Sequence, residues 1–109
     1  MYILDLDTRS LQIILGGAIT TNQLPWTVNY KSIALNGAET YALATGQTNS
    51  GTAVTMLAAP TAGTKLIVQS ISVYNADTAS ATVTIRINND NTMRNITNIV
   101  MPTLENMFY

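Results

Sequence analysis

The acidic residues are the side chains whose spacing could support chemistry. Asp5 and Asp7 are two positions apart, so on a strand they would share a face and could offer oxygen ligands to a cation. Residues 88–91 add four more oxygen-bearing side chains. One carboxylate pair falls short of the about six to eight oxygens that calcium takes, and Asn and Asp commonly shape their own turns. We therefore expect a solvated strand face at 5–7 and a plain turn at 88–91, without a metal.

Other catalytic groups are scarce. The chain has no histidine and no cysteine, which removes the commonest general base, thiolate chemistry and disulfides. No lysine spacing suggests a Ser–Lys dyad, and no two carboxylates can be identified as a general acid and a general base. The loop from Gly46 to Gly51 lacks the lysine and following helix of a phosphate loop. The sequence predicts a protein that is not an enzyme and carries no cofactor.

Charge is sparse and balanced. Five basic and six acidic residues give a net charge of −1, and charged residues make up 10% of the chain, against about 25% in ordinary domains. The basic residues are scattered, so nucleic-acid binding is not predicted. Low net charge protects poorly against association, and interfaces lose charged residues at their centres. This composition favours a surface that is covered in a permanent assembly.

Targeting and membrane segments are not evident. The apolar run from Leu11 to Leu15 is short and follows Asp5 and Asp7, whereas a signal peptide has a basic start and a longer apolar stretch. A membrane span needs about 20 apolar residues. We expect a soluble protein made in a cytoplasm, without membrane contact.

The elements that position these residues are predicted to be strands. Residues 64–88 contain two runs rich in Ile, Val and Tyr on either side of a turn-forming cluster, residues 75–80. Apolar and polar residues alternate from Thr82 to Asn88, which places the aliphatic side chains on one face. We interpret the two runs as an antiparallel hairpin with one buried and one solvated face.

Several shorter runs also have the residue pattern of β-strands. Trp26, Val28 and Tyr30 alternate with polar residues, and Asn36-Gly37 is a tight-turn dipeptide. Further strands are expected at 2–7, 11–15, 52–58 and 93–101, a polar loop at 44–52, and a short helix at 38–44. The sequence predicts one all-β domain over residues 1–109, an antiparallel β-sandwich or jelly-roll-like fold of about seven to eight short strands.

The core is predicted from the apolar faces of these strands. Its members would be Trp26, Val28, Tyr30, Ile71, Val73, Val83, Ile85 and Ile87. The alternative is that Trp26, Tyr30 or Tyr41 forms a platform on which a sugar stacks, which would make the chain a carbohydrate-binding module.

Two segments resemble a known family. TRSLQIILGGAITTNQLPWTVNY (Thr8–Tyr30) and TAVTMLAAPTAGTKLIVQSISVYNADTASATVTIRIN (Thr52–Asn88) are similar to small virion structural proteins of tailed bacteriophages. The most specific part is the run TTNQLP, residues 20–25. The resemblance implies a β-sandwich without catalytic residues. Such a protein would sit in the virion, on the capsid surface as a decoration or cement protein, after synthesis in the bacterial host cytoplasm; a tail or fibre adaptor domain is the alternative.

The resemblance also implies partners. These would be other copies of the chain, as a homotrimer, and the major capsid protein of a phage head, since copies usually sit at symmetry axes. Residues 1–9 are the candidate interaction arm, because an exposed strand can add to a neighbour's sheet. We expect their deletion to abolish particle binding and leave the domain folded. The apolar residues at the end of the chain suggest docking on the core or a neighbour, or a chain that is truncated at this point. The candidate interaction residues are Tyr2, Ile3, Leu4, Phe108 and Tyr109.

Overall fold

All regular structure in this chain is β-strand, within the part that the computed structural model describes, residues 2–5 and 7–108. The strands are β1 (Tyr2–Leu4), β2 (Arg9–Leu15), β3 (Pro25–Ile33), β4 (Glu39–Gln47), β5 (Val54–Leu57), β6 (Lys65–Tyr74), β7 (Ala81–Asn89), β8 (Thr92–Met101) and β9 (Asn106–Phe108). The predicted all-β class is confirmed, with slightly more strands than the sequence pattern indicated.

The strands form two antiparallel sheets that pack together as a sandwich. The five-stranded sheet has the order β1-β6-β3-β4, with β9 also paired to β6, and the four-stranded sheet has the order β5-β2-β7-β8. β1 pairs with residues 66–68 of β6, and β9 pairs with residues 72–74. The first and last strands therefore lie along the same side of β6, which we call the shared edge.

The predicted hairpin over residues 64–88 is wrong. Both runs are strands, but β6 belongs to the five-stranded sheet and β7 to the four-stranded sheet. The segment between them, residues 75–80, crosses from one sheet to the other. Alternation could not distinguish these arrangements, because a strand with one apolar face buries it equally well against the opposite sheet or beside a hairpin partner.

The predicted helix over residues 38–44 is also wrong. Residues 39–44 fall in β4, which pairs with β3 along its whole length and extends into the predicted polar loop as far as Gln47. The turn before β4 is correct: Gly37 has a φ of 84°, and its amide donates to the carbonyl of Ala34. Pairing with β3 overrides the helix propensity of the alanines at 42 and 44.

The core lies between the two sheets. Six of the eight predicted members are buried, while Tyr30 and Ile87 are partly buried and pack against the rest. Leu4, Leu11, Leu24 and Met107 join the core without having been predicted. Gly46 faces the core beside Trp26: a Cβ at this position would lie 2.5 Å from Cζ2 of the indole.

Candidate functional site

The acidic positions at the start of the chain do not lie on a strand face. β1 ends at Leu4, so Asp5 and Asp7 lie in a connection and not on a strand face. Nη1 of Arg9 donates to Oδ1 of Asp5 at 2.9 Å. Among the described residues, no group of three or more His, Cys, Asp or Glu side chains could hold a metal ion.

The turn predicted at 88–91 is present and joins β7 to β8. Asp90 and Asn91 have φ values of 51° and 65°, the left-handed backbone that a two-residue hairpin turn of this kind requires. Their residue types are explained by this backbone, since Asn and Asp tolerate it better than most residues.

Polar side chains meet at one end of the sandwich, where the chain crosses repeatedly between the sheets. The crossings are residues 16–24, 48–53, 75–80 and 102–105. Hydrogen bonds join these crossings to one another, and we call this region the crossover end. Residues 8–30 and 52–88 both contribute to it.

Asp77 is the centre of the crossover end. Its Oδ2 accepts the backbone amide of Thr20 at 2.8 Å, and its Oδ1 accepts the amides of Thr21, Asn22 and Thr78 at 2.7, 3.2 and 2.8 Å. These hydrogen bonds lower the pKa of Asp77 from 3.8 to about 2, and the bond from the Thr20 amide has the largest effect. Burial of the carboxylate acts in the opposite direction but is outweighed. Both oxygens of this buried carboxylate already accept hydrogen bonds, so the carboxylate links two crossings and is not available as a general base.

Gln23 links the crossing over residues 16–24 to the crossing over residues 48–53 by hydrogen bonds. Its Oε1 accepts the Thr48 hydroxyl at 2.8 Å and the Ser50 amide at 3.0 Å, and its Nε2 donates to the Ser50 hydroxyl at 3.0 Å. The Thr48 hydroxyl also accepts the amide of Leu24 at 2.9 Å. The run TTNQLP is thus joined to residues 75–80 on one side and to residues 48–50 on the other.

Asn75 connects the last crossing. It is fully buried, and its Nδ2 donates to the carbonyls of Ala79 and Met101 at 3.1 and 2.9 Å. Its backbone carbonyl accepts the amide of Leu104 at 2.8 Å, and the Thr103 hydroxyl donates to the carbonyl of Asp77. The sequence marked Asn75 and Asp77 only as turn formers. Their partners are distant in sequence, so no local pattern could have identified these contacts.

A cleft of about 450 Å³ opens at the crossover end. It is lined by residues 15–20, Asp77 and residues 80–82. Most of these residues are glycine, alanine or threonine, and the Asp77 carboxylate already accepts backbone amides. The cleft therefore holds neither an acid–base pair nor a nucleophile with a base.

Four of the five candidate interaction residues lie on the two strands of the shared edge. Ile3 and Phe108 are 49% and 75% exposed and point to the outside of the five-stranded sheet, because they pair with the outward residues Ile67 and Ser72. Leu4 is fully buried, so its side chain contacts the core and not a partner. Tyr2 pairs with Val68. Tyr109 lies outside the described residues.

The aromatic residues considered for sugar binding are divided between core and surface. Trp26 is 5% exposed, so its ring cannot stack on a ligand. Tyr30 is partly buried against the core. Tyr41 is 68% exposed, and the ammonium of Lys31 lies 5.9 Å from its ring centroid. An aromatic platform built from all three is therefore excluded.

The outer face of the five-stranded sheet carries a row of side chains that are apolar except for Lys31. Ile3 pairs with Ile67, Ile67 with Lys31, and Lys31 with Tyr41, so these four side chains lie side by side across the sheet. Leu43, 58% exposed, follows Tyr41 on the same face of β4. An exposed apolar band of this kind is typical of a surface that contacts another protein.

The fold and the crossover end together define a β-sandwich whose polar network joins its two sheets and whose apolar outer surface is open for contact. Within residues 2–5 and 7–108 there is no apolar helix of membrane-spanning length. Comparison with known protein families, curated proteins and solved structures gives no match to this chain.

Proposed function

We propose that this chain is a structural protein of a bacteriophage virion, a capsid decoration or cement protein that binds the outside of the head as a homo-oligomer. The observation that carries the proposal is the exposed apolar surface of the five-stranded sheet. Ile3, Tyr41, Leu43 and Phe108 are each about half exposed or more, on a chain in which charged residues make up only 10%. Such a surface suits a protein that adds contact area between shell subunits.

The crossover end supports a structural role in a second way. The two segments that resemble phage virion proteins contact each other through Asp77, whose carboxylate accepts amides of the run TTNQLP. The residues that carry the resemblance thus join the two sheets, so a relative sharing them would share this crossing geometry. The resemblance also implies a homotrimer and the major capsid protein as partner. Both remain part of the proposal, with the trimer formed on the particle at a symmetry axis of the head.

The shared edge is the surface that we assign to the capsid. Ile3 and Phe108 lie on the same side of β6, facing outward, with Ser70 on the outer face between their rows. The exposed side chains of Ile3 and Phe108 are the groups that the capsid would cover. β1 and β9 have three residues each, so the contact is assigned to these side chains and not to strand addition.

Quantitative mass spectrometry of purified virions, from the phage that encodes the chain, tests the proposed function. A head decoration protein is expected at hundreds of copies per particle, in proportion to the major capsid protein. A handful of copies would favour the tail or fibre adaptor, and absence from the virion would contradict both.

Substitutions at the shared edge test the assigned surface. Ile3→Glu and Phe108→Glu should each lower the amount of added protein that co-sediments with phage particles from which the native protein is absent. The reason is that a charge would have to be buried in the contact. Val100→Glu is the matched control, since Val100 is 62% exposed and lies on the other sheet. Equal losses for all three variants would contradict an assignment to the shared edge. A glycan array with the wild-type chain tests the carbohydrate alternative, which now depends on Tyr41.

A further inference from the structure

We propose that β4 pairs with the β4 strand of a second copy of this chain, antiparallel and in a register centred on Leu43. The five-stranded sheets of two copies would then form one continuous sheet. This self-association surface lies at the edge opposite the shared edge. The inference does not depend on the proposed virion role.

Three of the sheet edges are protected against such pairing. Natural sheets protect an edge with short strands, bulges, charges or proline, because its outer N–H and C=O groups are free to bind another strand. In the described part of the chain, β1 and β9 have three residues each and β5 has four. β8 is long, but its register with β7 shifts between Ile85 and Arg86, and it carries the exposed Arg94.

Along the nine residues that the structure describes for it, β4 has only one of these protective features, a single charge at its first position. It pairs with β3 without a register shift, contains no proline, and has one charged residue, Glu39, at its first position. Oε2 of Glu39 lies 3.4 Å from Nζ of Lys31, so this charge already has a partner in the same copy. Among the described residues β3 is the only strand paired with β4.

The outer face of β4 is complementary to itself. Leu43 is the middle residue of Glu39–Gln47, so full-length antiparallel pairing about a two-fold axis places it opposite Leu43 of the second copy. In that register Tyr41 lies opposite Thr45 of the second copy, and Glu39 lies opposite Gln47. An apolar pair at the centre is favourable, and no two like charges face each other.

The inner face of β4 allows the same approach. Its side chains there are small: Ala42 would lie opposite Ala44 of the second copy, and Gly46 opposite Thr40. Ala42, Ala44 and Gly46 are partly buried within one copy. Because no long side chain projects past the strand on this face, the two backbones can come to hydrogen-bonding distance.

The area available sets the expected strength of the dimer. A nine-residue strand is about 30 Å long, and the shortest extent of the sandwich is 17 Å. The side of the molecule at β4 therefore offers roughly 500 Å² per copy, and two copies bury about 1,000 Å², the lower end for specific interfaces. We expect a dimer that forms with rising concentration and dissociates on dilution.

Charge variants at the two-fold position test this pairing by sedimentation velocity over a range of concentrations. The wild-type chain should form a concentration-dependent dimer. Leu43→Lys and Leu43→Glu each place like charges opposite one another, so each should raise the dissociation constant at least about tenfold. An equimolar mixture of the two variants should restore a dimer, because position 43 then meets an opposite charge.

Val100→Lys is the control, a similarly exposed apolar residue on the edge strand β8, and it should dimerise like the wild type. Thermal unfolding of each variant confirms that it is folded. A wild-type chain that stays monomeric, or an oligomer that both Leu43 variants leave intact, would overturn the proposal. If the variants are monomeric and their mixture does not pair, the register centred on Leu43 is wrong.

Discussion

Thr20 and Asp77 lie 57 positions apart in the chain, and the backbone amide of Thr20 donates to Oδ2 of Asp77 at 2.8 Å. The two residues belong to crossings that run in opposite directions. Residues 16–24 lead from β2 to β3, and residues 75–80 lead from β6 back to β7. Since β2 pairs with β7 and β3 with β6, the two crossings lie side by side. The Asp77 carboxylate therefore links these two connections between the sheets by hydrogen bonds.

Replacing Asp77 by Asn should lower the free energy of unfolding. The asparagine keeps the shape but has one oxygen, and its amide group would face backbone amides that are themselves donors. A fall in the urea midpoint of Asp77→Asn, with an unchanged urea m-value, is the expected result.

Asp90→Asn is the matched control for this substitution. Asp90 is exposed in a turn with a φ of 51°, a conformation that Asn also tolerates. Its urea midpoint should stay at the wild-type value. Equal midpoints for Asp77→Asn and the wild type would show that the carboxylate is dispensable at the crossover end.

The stabilising effect of Asp77 should depend on pH in the acid range. Its pKa in the folded chain is lowered to about 2 from 3.8, so the carboxylate stabilises the fold fully above pH about 4. This stabilisation is lost as the pH falls through the folded pKa. The difference in free energy of unfolding between the wild type and Asp77→Asn should therefore be constant from neutral pH to about 4 and narrow towards pH 2. A difference that widens on acidification would contradict this role.

Strand positions could be predicted from the sequence, but strand partners could not. Period-2 alternation correctly indicated β3, β6 and β7, because one face of each meets the core. The same pattern is compatible with a hairpin or with a crossing, and the choice depends on what residues 75–80 bind. Asn75 binds the last residue of β8, and Asp77 binds the crossing that follows β2, which no local pattern reveals.

The candidate surfaces were predicted only in part. Sequence composition indicated a covered, charge-poor surface, and the residues Ile3 and Phe108 are exposed as an interaction surface requires. The exposure of Leu43 was not predicted, because its segment was expected to be a helix. The edge position of β4 depends on the whole sheet order, so it could not be derived from the residues of β4 alone.

Gly46→Ala should destabilise the chain by about 1–3 kcal/mol. The added methyl group would lie 2.5 Å from Cζ2 of Trp26, which is 5% exposed and has little room to move. Urea unfolding followed by the fluorescence of Trp26, the single tryptophan of the chain, measures both stability and ring environment. Gly51→Ala is the control, because a Cβ there meets nothing within 4 Å. A Gly46→Ala variant as stable as this control would mean that the indole has room to shift.

Leu4 and Ile3 should respond differently to truncation, although they are neighbours on β1. Leu4 is fully buried, so Leu4→Ala should cost about 2–5 kcal/mol of unfolding free energy. Ile3 is 49% exposed and contacts the core less, so Ile3→Ala should cost about 1 kcal/mol or less. Urea unfolding of both variants measures the difference.

Because Leu4 is buried in the core, deletion of residues 1–9 should have a different effect on folding from the one expected for an interaction arm. Such a deletion removes the buried Leu4 together with the β1 pairing to β6 and the first residue of β2. We therefore expect it to destabilise the domain, whereas the arm interpretation predicted an intact fold. Particle binding is better separated from folding by Ile3→Glu, which changes only the outward side of β1. If Leu4→Ala proves as stable as Ile3→Ala, β1 contributes little to the core, and the deletion becomes a valid test of an interaction arm.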